Sequence, residues 1–228
     1  MTQATKKFSC EFCEREFIRE NTMLKHLCET KRRWQDREKH GNRVGFNSWI
    51  QFYNKNSTKK KREYMDFAKS AYYTAFVKFG NYCVDTQVIN VSRYVDWLLK
   101  NQISIDTWNR DSHYTKFIID YLRSEDPLDA IARSIETTIA LAQQSKILTK
   151  DVLRYGNRNS ICYEITKGMI SPWMLYHSES GLQFIEKLDA TQQKMILDYI
   201  NPEQWAIKFN KNKNIISQVK ELLSAGGY

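Results

Sequence analysis

Glycine and proline are scarce, at 8 and 3 in 228 residues. A many-stranded protein spends both on its turns, so the shortage argues against a β architecture and for helices. Hydrophobic runs are short as well. None approaches the roughly 18 apolar residues a membrane span needs, and the N-terminus lacks the apolar stretch of a signal peptide. A cytoplasmic protein with no membrane partner is expected, and in that reducing compartment closely spaced cysteines point to metal before disulfides. Catalytic signatures are also missing. There is no phosphate-binding glycine loop, no serine elbow and no repeated acidic motif. His113 and His177 stand without a cysteine or carboxylate at metal-motif spacing, and Asp106, Asp111 and Asp120 read as caps and surface acids. No enzyme activity is expected. A nuclease is the less favoured alternative, because carboxylates gathered from distant positions leave no motif.

Aromatics and uneven charge are what the chain does have. Thirteen tyrosines, eleven phenylalanines and six tryptophans can fill a real core. Residues 1–62 carry 16 Lys+Arg against 7 Asp+Glu, while the remainder carries 19 of each, so the whole net charge of +9 lies in the first quarter. A basic head on a neutral body suits contact with a polyanion.

The head contains Phe8-x-Cys10-x2-Cys13-x3-Phe17-x5-Met23-x2-His26. This pattern resembles the C2H2 zinc finger, with Cys10 and Cys13 in the knuckle, Phe17 and Met23 in the small core, and His26 twelve residues beyond Cys13. The resemblance implies a Zn2+ ion that supplies the folding energy so small a module lacks. It fails at the fourth ligand, because Thr30, Lys31 and Arg32 occupy the family's positions. Cys28 lies only two residues past His26, about 200° around a helix, so both can ligate only if the helix breaks after His26. Cys28 is the expected fourth ligand; His40 is the alternative and needs a return loop. By position, the base-reading sites of such a finger fall on Arg19, Thr22 and Lys25, which cover only about 3 base pairs. The arm Lys31, Arg32, Arg33, Arg37 and Lys39 and the block Lys59, Lys60, Lys61 and Arg62 are candidates for phosphate contact. Trp49 and Tyr53 either stack on unpaired bases or belong to the core.

Periodicity predicts helices through the rest. Tyr64 to Phe79 reads as one helix ending before Gly80, followed by Val91–Leu99 with Ser92 as cap, and by Trp108–Leu122. A helix opening at Pro127 takes Asp126 as N-cap. Shorter helices follow over 161–167, 172–177, 182–188, 190–199, 202–209 and 215–223, with Ser171-Pro172 and Asn201-Pro202 as cap-and-first-turn pairs, and Gly226-Gly227 suggests a frayed tail. Gly41 and Gly45 read as punctuation. The expected fold is mainly α, a small ββα-type finger followed by an all-helical body in two lobes, divided as 1–40, 41–148 and 149–228.

The segment 161–223, with Ile165-x4-Ile170-Ser171, Trp205-x-Ile207-Lys208 and a last helix ending Leu222-Leu223, resembles the helicase-loading proteins of T4-type bacteriophages. The aromatic helices containing Phe67, Phe79 and Trp97 resemble that family too, and the finger departs from it. The resemblance implies a small basic replication factor that binds forked or single-stranded DNA and recruits a replicative helicase or polymerase. A transcription regulator, or a protein-interaction adaptor braced by zinc, is the alternative.

Overall fold

A computed structural model describes residues 7–56 and 61–228. The chain divides into two compact units, 1–109 and 110–228.

The first unit opens with a two-stranded antiparallel hairpin, β1 (Phe8–Ser9) and β2 (Glu16–Phe17), in which Phe8 pairs with Phe17. Two short helices follow, α1 (Glu20–Lys25) and α2 (Glu29–Gln35), then the long α3 (His40–Asn56). The helix expected from Tyr64 onward is broken in two, α4 (Tyr64–Lys69) and α5 (Tyr73–Asp85). The break lies at Ser70, whose backbone is extended (φ −67°, ψ 140°) and whose hydroxyl accepts from the Tyr72 N–H. Gly80 does not end α5, and Gly41 and Gly45 are not punctuation, for all three lie inside helices. A Cβ on Gly80 would sit 2.0 Å from the Gly41 carbonyl oxygen and 2.6 Å from the Gly45 nitrogen, so the glycines let α3 and α5 pack backbone to backbone. The unit closes with α6 (Val91–Lys100), capped by Asn90 rather than Ser92. Trp108 is fully buried in the segment after α6, where its Nε1 donates to the Ile103 carbonyl and its ring meets Phe76 and Phe79.

The second unit is helical throughout: α7 (Asp111–Ser124), α8 (Pro127–Ser145), α9 (Val152–Tyr155), α10 (Arg158–Thr166), α11 (Pro172–His177), α12 (Glu179–Glu186), α13 (Ala190–Ile200), α14 (Pro202–Lys211) and α15 (Ile216–Ala225). The proline signals hold. Asp126, Ser171 and Asn201 each cap the helix whose first residue is the following proline. Trp173 and Trp205 lie at the centre, within 6.2 Å of each other. Arg133 binds the buried Glu125 carboxylate through both terminal nitrogens at 2.6 and 2.9 Å, and its Nε holds the Gly168 carbonyl. The tail is docked rather than frayed, since the Tyr228 hydroxyl donates to the Thr149 carbonyl at 2.8 Å. A boundary near residue 148 therefore cuts through the second unit, where α8 packs on α11 and α15.

Candidate metal centre

Cys10 and Cys13 lie in the knuckle that turns β1 into β2. The Cys10 N–H donates to the Arg15 carbonyl and the Glu14 N–H to the Cys10 carbonyl, with Glu14 in the left-handed region at φ 60°. His26 follows the last residue of α1, and its backbone is already extended (φ −68°, ψ 122°). That is the helix break a Cys28 ligand requires. Cys28 is extended too and caps α2, its Sγ accepting the Lys31 N–H at 3.4 Å. A chain that leaves one helix and starts another within three residues turns the His26 and Cys28 side chains to the same place, which one continuous helix cannot do.

The ligating atoms of Cys10, Cys13, His26 and Cys28 all lie within 4.8 Å of one another, and His26 Nε2 is 3.3 Å from Cys13 Sγ. Metal–sulfur bonds of about 2.3 Å and metal–nitrogen bonds of about 2.0 Å put tetrahedral ligand atoms roughly 3.5–3.8 Å apart, so these four residues fit a tetrahedral ion. His40 is exposed at the first turn of α3 and is not one of them. Burial pushes the Cys10 thiol up, but the Phe12 and Cys13 amides and the neighbouring thiols outweigh it, and the net shift is downward. For Cys13 the Arg15 amide pulls down, while burial and the Cys10 and Cys28 sulfurs push up and prevail. Three sulfurs crowded together cannot all ionise cheaply without a cation among them.

Around the centre the segment is thin. Cys10 is the one fully buried residue between Lys7 and Gln35; Phe8, Phe17 and Met23 are half-buried, and the Phe17 ring lies 4.9 Å from that of His26. The finger is nevertheless anchored to its unit. Phe12 meets Trp34, Trp34 meets the Tyr64 ring at 5.9 Å, and Glu14 pairs with Lys69. It is thus part of the first unit and not a separate module ending at residue 40.

The expected contact residues fall into two groups. Arg19, Thr22 and Lys25 are exposed on or beside α1, and Arg32 is exposed on α2. Others are occupied within the protein. Lys31 Nζ donates to the Leu24 and His26 carbonyls at the end of α1. Arg33 donates to the Ala68 and Ser70 carbonyls, pairs with Glu29 and lies 4.5 Å from the Tyr73 ring centre. Arg37 lies against Trp34 and donates to its carbonyl, and Lys39 pairs with Asp36. Arg33 and Lys31 are therefore engaged as braces within the first unit; consecutive helical residues point about 100° apart, so 31, 32 and 33 cannot all face outward. Lys59 and Lys60 lie outside the described residues. Lys61 is exposed beside Glu63, and Arg62 stacks on Tyr53 at 4.7 Å. Trp49 is core, 4% exposed among Phe46, Tyr53 and Phe67.

Sequence reasoning did not anticipate the exposed aliphatic side chains of the finger, Ile18, Leu24 and Leu27, at 79%, 60% and 58%. Their positions were readable, but nothing marked that each would stay exposed. Among the described residues no other group of three or more Cys, His, Asp or Glu side chains converges as a metal site, and no helix is long and apolar enough to cross a membrane. No family model matches the chain, and no match to a curated protein or a solved structure is found.

Proposed function

We propose that the chain is a zinc-dependent DNA-binding accessory protein without catalysis of its own, whose first unit meets DNA and whose second unit contacts a protein partner. The carrying observation is the Cys10–Cys13–His26–Cys28 group on a finger whose Arg19, Thr22 and Lys25 are exposed together. Three thiolates and one imidazole are the donor set of structural zinc, and four protein ligands leave no open position for catalysis. Charge supports the assignment: the first unit holds 20 Lys+Arg against 12 Asp+Glu, and the second 15 against 14. Arg19, Lys25 and Arg32 supply phosphate or base-edge contacts, with Thr22 between them. One finger reads too few base pairs to specify a site, so the unit tethers a partner to DNA and raises its local concentration there. No family match supports the helicase-loader likeness of 161–223, so a replicative helicase and forked DNA rest on that sequence pattern alone as the partner and substrate to test first.

A second reading, a protein-binding adaptor braced by zinc, draws on the exposed Ile18, Leu24 and Leu27. A salt titration of binding to duplex, single-stranded and forked DNA, with and without a zinc chelator, separates the two. The DNA reading expects steep salt dependence that collapses with chelation. Absence of binding at low salt by the zinc-loaded protein refutes it and favours the adaptor.

A further inference from the structure

A second feature of the first unit has no role in the metal centre. Between α3 and the start of α5 lies a cavity of about 380 Å³ lined by Trp49, Tyr53, Arg62, Asp66, Ser70 and Tyr72. That volume is within the range of small-ligand pockets, about 300–1,000 Å³. Two of the lining residues, Arg62 and Trp49, also carry a donor buried behind the cavity surface with no acceptor among the described residues, Arg62 Nη1 and Trp49 Nε1. Buried donors are satisfied in the great majority of cases, and a guanidinium nitrogen is among the costlier ones to leave unpaired. Two such donors beside one cavity lie where a side-chain shift of Arg62 would bring its guanidinium to an acceptor-bearing ligand.

The remaining lining decides what kind of ligand. Inorganic phosphate or a simple carboxylate would satisfy the donors, but the Asp66 carboxylate in the same wall repels an anion. Asp66 spends Oδ2 on the Glu63 N–H, and the Ser70 hydroxyl accepts the Tyr72 N–H, so each keeps lone-pair capacity for a ligand donor. The pocket therefore offers donors, acceptors and aromatic surface together. Tyr72 is 45% exposed, and Tyr53 is already covered by the Arg62 guanidinium, 4.7 Å from its ring centre. A planar group with both carbonyl or ring-nitrogen acceptors and exocyclic N–H donors matches that set, and an unpaired nucleobase is such a group.

We infer that this cavity binds one unpaired nucleobase, stacked on Tyr72 and held by Arg62, in single-stranded or overhanging DNA. The inference rests on the reading of the first unit as DNA-binding, and it assigns the strand preference to a site apart from the finger. Trp49 is core and is not a stacking platform.

The test uses the full-length, zinc-loaded protein and two variants, Tyr72→Ala and Arg62→Lys. Tyr72 is exposed and Lys keeps the charge, so both should fold, which circular dichroism checks. Binding is measured to blunt duplex, to the same duplex with a short overhang containing 2-aminopurine, and to free dAMP. Wild type should prefer the overhang and change the 2-aminopurine fluorescence. Tyr72→Ala should weaken overhang binding about 5- to 100-fold, the range for one stacked base, abolish the fluorescence change and leave duplex affinity within about twofold. Equal overhang and duplex affinities, insensitive to both variants, overturn the pocket while leaving the DNA-binding reading in place. Tyr72-dependent binding of dAMP without any DNA binding supports the pocket with a free nucleotide as its source and removes the DNA-binding reading. No response to any of the three probes overturns both.

Discussion

Arg32 and Arg33 are neighbours in sequence with opposite assignments, and replacing each by alanine in turn tests the whole division of the basic arm. Arg33 donates to the Ala68 carbonyl at 2.9 Å, its side chain is 20% exposed, and its guanidinium lies 4.5 Å from the Tyr73 ring centre. A charge-assisted hydrogen bond contributes about 1.5–3 kcal/mol. The ring contact adds roughly 0.5–2 kcal/mol. The Glu29 pair adds at most about 1 kcal/mol, because Glu29 is largely exposed. These contributions overlap, so Arg33→Ala should cost about 2–4 kcal/mol. In a domain near this size each kcal/mol lowers the midpoint by about 4–8 °C, so the transition of the first unit should fall by roughly 10–25 °C. Arg32→Ala, at an exposed position, should stay within about 0.5 kcal/mol of wild type. On the proposed DNA binding, losing one phosphate contact should make the slope of log K against log salt shallower by about 0.9 on duplex. Calorimetry and a salt series of fluorescence anisotropy read the two quantities separately. An unchanged salt slope for Arg32→Ala, or an unchanged transition for Arg33→Ala, refutes the assignment of that residue.

Metal binding should depend on Cys28 and not on His40: Cys28→Ser should weaken zinc affinity by an order of magnitude or more, and His40→Ala should leave it unchanged in a chelator competition. Gly80→Val should destabilise the first unit by about 3 kcal/mol or more in urea titration, since its Cβ alone would meet the Gly41 carbonyl oxygen at 2.0 Å. In the second unit burial lowers the pKa of His177 from the ordinary 6.5, the Trp173 carbonyl partly offsets this, and Lys220 lowers it further. As pH falls below about 6.5 the unfolded chain takes up a proton that the folded unit resists, so stability should decline in that window. His177→Gln should flatten the decline, and an unchanged pH slope in thermal melts counts against it.

Where a local rule decides the structure, the sequence was readable. Pro127, Pro172 and Pro202 open helices behind Asp126, Ser171 and Asn201, because proline lacks the N–H that a first turn leaves unpaired in any case. The two-residue interval from His26 to Cys28 likewise demanded a helix break, and the backbone has it. What eluded reading depends on partners distant in the chain. Gly41, Gly45 and Gly80 look like turn residues until α3 and α5 are seen to touch through them. Arg33 looks like its neighbours until the ends of α4 offer two carbonyls. The lobe boundary was misplaced for the same reason: α8 meets α15, about 80 residues later, and no local signal encodes that meeting.

The finger's thinness and its anchoring together say what a metal held there would do. Strands of two residues and a helix of six, with one residue fully buried, cannot hold a fold by apolar burial. An ion held by the four ligands would supply that energy, and it would also fix the path of the chain from α1 into α2 through His26 and Cys28. Along that path Lys31 closes the end of α1 and Trp34 docks on Tyr64. Losing the ion should therefore release α2, and with it the grip of Arg33 on α4, instead of melting an independent bead. Chelation should lower the stability of the whole first unit while the second melts unchanged. Two transitions by calorimetry, only one of them zinc-sensitive, would bear this out; a first unit that keeps its melting point without metal would show the finger to be an appendage after all.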